Sequence, residues 1–236
     1  MTVEFDFEGD VVLVTGVGGA LGSAVARAFD AAGATVCGAD IVDPDSEDFL
    51  LDDDDIVEFY QGDFTDETEV QRVVEAVVDD HGELEHLCNI AGTWRGGDPV
   101  HETSVDTFDF LFDVNLKTAF LASKHALPHL RESEGAIVSV SARSSLEGGE
   151  GDAVYRATKA GVRLLTESIA AENEGVVRAN AVMPSVIDTP MNREMMPGAD
   201  HDRWVDPEDI AEMIMFLCSD GASVTSGAAV PVYGKA

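Results

Sequence analysis

The sequence predicts an α/β fold: a seven-stranded, doubly wound parallel sheet flanked by helices, in a single domain over residues 1–236. Three observations carry that reading. Seven short apolar runs alternate with amphipathic stretches, the pattern of strands buried on both faces and joined by crossover helices. The chain is 236 residues long and 45% hydrophobic, enough for one sizeable core. The first apolar run passes through a glycine-rich turn into a helix-like stretch, as a nucleotide-binding sheet begins.

In chain order, VVLVTG from Val11 is apolar up to its glycine, and a helix near Leu21–Ala32 begins where the glycines end. ATVCGAD from Ala34 is the second strand and closes on Asp40. Ile41–Asp55, which contains LDDDD, reads as a solvated acidic loop. IVEFYQGD from Ile56 is the third strand, followed by an amphipathic helix over Glu67–His81. LEHLCNIAG from Leu84 is the fourth strand, and a long helix is predicted over Thr107–Arg131. GAIVSVS from Gly135 and VVRANAVMP from Val176 are the fifth and sixth, separated by a helix over Ala153–Asn173. Residues 184–206, with two prolines, adjacent methionines and Trp204, are too long for an ordinary connection and read as a lid. A helix over Pro207–Ser219 and the strand AAVPVYG from Ala228 complete the set, with no linker and no repeat.

The formal net charge is -32, from 46 acids against 14 bases, most of them arginine. Such a surface over an ordinary core reads as adaptation to high salt, where counterions screen self-repulsion. It disfavours nucleic acid and anionic membranes as partners. Cys37, Cys88 and Cys218 fall in apolar runs and read as buried free thiols of a reducing compartment. The start MTVEFDFEGD lacks the basic and apolar regions of a signal peptide, and no apolar run approaches the ~20 residues of a membrane span, so a cytoplasmic location is expected. His125 and His129 are spaced i,i+4 but flank Pro128 with no converging acid; a surface role is expected, and no metal.

Two groups of residues carry chemistry. Gly16, Gly18, Gly19 and Gly22 let backbone approach a pyrophosphate at a helix N-terminus. Asp40 ends the second strand 18 residues after Gly22, placed to accept hydrogen bonds from ribose hydroxyls. Its carboxylate repels a 2′-phosphate, and Gly19 and Ile41 supply no cation, so NAD is expected over NADP. The second group is Tyr155 and Lys159, one helical turn apart, a phenol and an ammonium suited to proton transfer.

Over nearly its whole length the chain resembles the short-chain dehydrogenase/reductase family. TGVGGALG resembles the TGxxxGxG turn, with Ala20 and then Leu21 before Gly22. GDFTD resembles the segment whose aspartate, here Asp63 with Phe64 after it, meets the adenine. NIAG, with Asn89, Ala91 and Gly92, resembles NNAG; VNLKTAF carries Asn115; YRATK is the YxxxK pair. PSVIDTP, with Pro184, Ile187 and Thr189, resembles the segment that holds the nicotinamide carboxamide. The resemblance implies hydride transfer between a nicotinamide and a carbonyl, alcohol or imine carbon. It makes Tyr155 the acid or base, Lys159 the group that binds ribose and lowers the tyrosine pKa, and Asn115 the holder of a relay water. It also implies a homodimer or homotetramer through the helices near 107–131 and 153–173.

The family places a serine 13 residues before the tyrosine, and here that position is Ala142. Ser141 is one residue off, which in a strand is the opposite face, so it substitutes only if a bulge re-aims it. Dihydropteridine reductases keep the Tyr–Lys pair without that serine. GALGS, AGTWRGG with Trp94, ARSSLEGGEG with Arg143, and IDTPMNREMMPGADHDRW over Ile187–Trp204 resemble them. Trp94, Ala142 and Arg143 are therefore the candidate substrate contacts. The alternatives are a 3-oxoacyl or alcohol dehydrogenase using Ser141 and a non-catalytic NAD-binding sensor. Arg95, Arg143 and Arg193 all lie in segments expected near the cleft.

Overall fold

The computed structural model describes residues 5–51 and 57–235. Met1–Glu4, Asp52–Ile56 and Ala236 lie outside the described residues, and with them the aspartates of LDDDD and the first residue of the predicted third strand.

Seven strands form one parallel sheet in the order β3-β2-β1-β4-β5-β6-β7. They are β1 (Val11–Thr15), β2 (Thr35–Asp40), β3 (Glu58–Gln61), β4 (His86–Asn89), β5 (Ala136–Val140), β6 (Arg178–Pro184) and β7 (Ala229–Val232). The chain starts in the middle, builds outward to β3, then returns to β4 and builds the other half. The β1/β4 border is thus the switch point, and the crevice beyond its carboxyl end is where such sheets bind ligands. Register sets Thr15 opposite Asn89, and Val140 opposite Val182.

The period of two sorts β1 between two layers. Val12 and Val14 face α1 (Ala20–Ala31) and α7 (Pro207–Cys218), in a cluster with Val25, Phe29, Ile210 and Ile214. Val11 and Leu13 face the opposite layer with Val73 and Val77 of α2 (Glu67–His81), and Leu121 and Leu130 of α4 (Thr118–Glu132). Each fully buried Val or Leu contributes about 1.5–3 kcal/mol, so a continuous apolar strand is anchored from both sides. Cys37, Cys88 and Cys218 are free and buried. Among the described residues no helix is long and apolar enough to cross a membrane.

Caps set the helix boundaries. The Asp66 carboxylate accepts from the amides of Thr68 and Glu69 to start α2, and Gly82, at φ +88°, ends it. Ser104 accepts from Thr107 N, which starts α3 (Val105–Phe112) two residues before the expected Thr107. The predicted unbroken helix over Thr107–Arg131 is corrected: Asp113–Lys117 forms a π-turn between α3 and α4, centred on Asn115. The acidic loop is corrected in part. Phe49 packs edge-on against Phe59 at 5.2 Å, and Leu50 N donates to Gly18 O at 2.8 Å. Phe49 and Leu50 are therefore folded back onto the glycine-rich turn, while most of residues 41–48 are solvated.

Candidate active site

The glycine-rich turn leaves β1 and enters α1 with no room for side chains. Gly16 has φ +70°, and a Cβ there would sit 2.8 Å from Ala91 Cα. A Cβ on Gly22 would lie 2.0 Å from the Gly16 carbonyl oxygen. No side chain caps α1, whose N-cap is Gly19, so its positive dipole end faces the crevice. Thr15 joins the turn to β4: its hydroxyl accepts from the amides of Ile90 and Ala91 at 3.1 and 3.2 Å. At the end of β2, Asp40 accepts from Gly18 N at 2.9 Å and from Val42 N at 3.0 Å, which fixes its carboxylate beside the turn. Ile41 beside it is exposed. An uncapped helix end, a glycine cradle and a held carboxylate fit a dinucleotide's pyrophosphate and adenosine ribose.

Several of the residues expected at the cofactor have side chains turned into the core. The rings and chains of Phe64 and Leu21 are buried in the two hydrophobic layers, because each stands at a core position of its turn. Asn89 is turned inward as well: Nδ2 donates to Ser123 Oγ at 3.1 Å and to Ser139 Oγ at 3.2 Å, linking β4, β5 and α4. Its side chain supports the sheet. Asp63 accepts from the amide and hydroxyl of Thr65, closing a turn after β3.

The proton-transfer residues converge where β4, β5, the π-turn and α5 (Ala153–Glu172) meet. A Cβ on Gly92 would lie 2.8 Å from Asn115 Oδ1 and 2.9 Å from Lys159 Nζ. Only glycine lets these two side chains close over the strand end. Asn115 clamps the following residue: Oδ1 accepts from Thr93 N at 2.8 Å, and Nδ2 donates to Thr93 O at 3.0 Å and Thr158 Oγ1 at 3.3 Å. Lys159 is buried and donates to Val140 O at 3.0 Å. Burial pushes its ammonium down to about 8.

Tyr155 corrects one expectation. Its phenol is pushed up to about 12, by burial first and then by the Asp152 carboxylate, with Arg156 opposing. Lys159 is not among the groups that shift it; its own ammonium is desolvated and donates to the Val140 carbonyl. Arg156 also braces the loop before the tyrosine, through Asp152 Oδ1 at 2.5 Å and Glu147 O at 3.1 Å.

The Ser141 alternative is corrected by the strand geometry. Ser141 N donates to Val182 O at 2.9 Å, which continues the β5–β6 ladder without a bulge. Its hydroxyl donates to the Lys159 carbonyl at 2.7 Å and is buried. Ser141 is thus turned into the backbone of α5. Ala142, extended at φ -161° and ψ 155°, takes the other face and carries no polar side-chain atom. Ser141→Ala should cost about 1 kcal/mol of stability and less than about tenfold in rate, well under the 10²–10³ of a true oxygen-binding donor. Melting curves and kcat/KM measured together check this; loss of turnover with the fold intact would restore Ser141 as the donor.

Loops after β4, β5 and β6 wall the crevice. Gly97 N donates to Gly151 O at 2.7 Å, which draws the half-exposed Trp94 and its loop towards the start of α5. The lid after Pro184 contains α6 (Pro190–Met195), capped by Thr189 Oγ1 on Asn192 N at 3.2 Å. Ile187 bridges to Val205, and its carbonyl accepts from Asn192 Nδ2 at 2.8 Å. Met191, Met195 and Met196 are exposed on it. Arg193 is held by both oxygens of Asp188, at 2.5 and 2.6 Å. Arg143 lies 4.8 Å over the Tyr233 ring, and Arg95 lies 3.9 Å over the Phe110 ring. Sequence reasoning missed Thr15, Thr158, Tyr233 and the Phe49–Leu50 contact; only the last had a signal, an apolar FLL among acids.

Residues 16–234 match the family described as enoyl-(acyl carrier protein) reductase. The chain is 34% identical to the meso-2,3-butanediol dehydrogenase of Serratia marcescens, over 98% of this chain and 95% of that protein. It is 32% identical to a 3-oxoacyl-(acyl-carrier-protein) reductase of Thermotoga maritima, over 96% and 97%. A 3-ketoacyl-(acyl-carrier-protein) reductase from Brucella melitensis, solved with NADH, superimposes with a TM-score of 0.86 at 27% identity, over 96% of this chain and 98% of that one.

Proposed function

This chain belongs to the short-chain dehydrogenase/reductase family and is an NAD(P)-dependent oxidoreductase; from that premise we propose that it interconverts a small carbonyl compound and its alcohol with NAD(H). The carrying observation is the meeting of Lys159, Asn115 and Gly92, one helical turn along α5 from Tyr155, beside a glycine cradle with Asp40 at its rim. When bound, the nicotinamide supplies or accepts the hydride. Tyr155 then gives a proton to the substrate oxygen or takes one from it, Lys159 supplies positive charge beneath, and Asn115 holds the loop that carries Trp94. Relatives named as a butanediol dehydrogenase and a 3-oxoacyl reductase favour a carbonyl–alcohol pair. Ala142 favours a second reading, reduction of a quinonoid imine such as a dihydropterin, whose electron-poor ring needs no serine donor.

A substrate screen in molar KCl, following NADH absorbance, tests the reading. It covers simple ketones, oxo acids and their esters, vicinal diols and quinonoid dihydropterin. Turnover of ketones and diols supports the first reading, and faster turnover of the dihydropterin favours the second. NADH binding with no turnover of any substrate would overturn both in favour of a sensor.

Cofactor choice rests on Asp40. NAD(H) should be preferred over NADP(H) by at least about tenfold, the order of one lost charge contact. Asp40→Ala should narrow that gap; titrations giving equal affinities for the native protein would count against it. The -32 charge supports a high-salt habit, so the melting temperature should rise from low to molar KCl as repulsion is screened. An unchanged or lower value would refute that. Exposed Phe108, Phe120 and Leu164 on α3, α4 and α5 support a homodimer or homotetramer through those helices.

A further inference from the structure

We propose that Arg143 is an anion-binding residue and that the substrate is a small oxo acid, reduced to its hydroxy acid with the carboxylate held by this guanidinium. The inference rests on the oxidoreductase reading and names its substrate class.

Acids outnumber bases by 46 to 14 in this chain, yet several arginines, Arg95 and Arg143 among them, form no ion pair among the described residues. Beside the crevice, Arg156 is taken by Asp152 and Arg193 by Asp188. Arg143 has no ion-pair partner among the described residues. Its guanidinium lies instead over the ring of Tyr233. With no acid partner among the described residues, its N–H groups can grip a carboxylate with two parallel hydrogen bonds.

Position makes that edge relevant. Arg143 directly follows Ala142 at the end of β5, and Tyr233 follows β7, so the side chain crosses the carboxyl end of β6 between them. The platform is fixed: Ser185 Oγ donates to Tyr233 O at 2.9 Å, and Ser185 N donates to Val232 O at 3.1 Å. Ser185 is also the first residue after β6, the root of the lid. The guanidinium therefore stands between the position that lacks a serine and the hinge of the lid.

The missing serine and the adjacent arginine are one arrangement under this reading. A carboxylate whose charge is neutralised by the guanidinium withdraws electrons from the neighbouring carbonyl, which then needs less polarisation. Hydride adds to the carbonyl carbon, the C=O π pair moves to oxygen, and that oxygen takes the Tyr155 proton. The oxo acid, NADH and a proton become the hydroxy acid and NAD.

The test compares acids with their neutral esters in molar KCl: acetoacetate against ethyl acetoacetate, and pyruvate against methyl pyruvate. Oxamate binding to the NADH complex, read by NADH fluorescence, is measured in parallel. The native protein should favour each acid in kcat/KM, and Arg143→Gln should erase that preference by raising KM about 10–100-fold for the acids. Arg143→Gln should weaken oxamate to the same extent while NADH affinity and ester turnover stay within threefold. Arg95→Gln, equal in charge and over Phe110, should leave the acid-to-ester ratio unchanged. Esters preferred over acids, oxamate unbound, or equal loss on acids and esters in Arg143→Gln would each overturn the proposal. Turnover of neutral ketones in that case would leave the oxidoreductase reading standing.

Discussion

Tyr155→Phe should lower kcat by at least about 10³–10⁴, the upper range of one positioned acid or base, while NADH binds with native affinity. The phenol oxygen is the only part removed, and the ring keeps its place at the start of α5. The pH profile should follow from the shift. With the phenol pushed up to about 12, it stays protonated throughout the usual working range, so reduction keeps its proton donor. Alcohol oxidation needs the phenolate, whose fraction grows about tenfold per pH unit below the pKa, so oxidation should climb with pH in the native protein and lose that slope in the variant. Stopped-flow turnover with NADH titrations checks both. Retention of more than a tenth of native kcat would remove Tyr155 from the chemistry.

Much of this arrangement was legible because it depends on spacing. The glycines of the first turn, Asp40 at the end of β2 and the four-residue step from Tyr155 to Lys159 are set by strand and helix periods, which sequence carries directly. The orientation of Ser141 followed from the same rule once the ladder proved unbroken. What could not be read were features made by packing. The π-turn at Asp113–Lys117 has no composition signal, since VNLK is ordinary helix sequence. It arises where Asn115 must reach Thr93 and Thr158. The direction of the Tyr155 shift depends on burial and on where the Lys159 ammonium points, and neither is a property of a motif. The resemblance of NIAG to NNAG implies that Asn89 supports both the sheet and the cofactor, and only the first of these is a matter of packing. Its own side chain lies among Ser123 and Ser139 in the interior.

Lys159→Met should cost about 10²–10⁴ in turnover and yet stabilise the cofactor-free fold at pH 7. The reason is linkage. Burial lowers the ammonium from its ordinary 10.5 to about 8, so between those values the unfolded chain binds more protons than the folded one, and native stability rises with pH across that window. Below it, the lysine is charged in both states, and the full cost of burying an ion is present, on the order of 3 kcal/mol. Methionine removes that cost but leaves the Val140 carbonyl without its donor, an offset of about 1–3 kcal/mol. The variant should therefore melt at a higher temperature than the native protein at pH 7, lose the advantage between pH 8 and 10.5, and fall below it beyond. Thermal melts of both proteins in the same molar KCl, at pH 7 and above pH 10, decide it. A variant less stable at pH 7, or a difference that does not change with pH, would mean that Lys159 is solvated in the folded protein. The activity loss is read separately, because NADH binding through the ribose hydroxyls should also weaken.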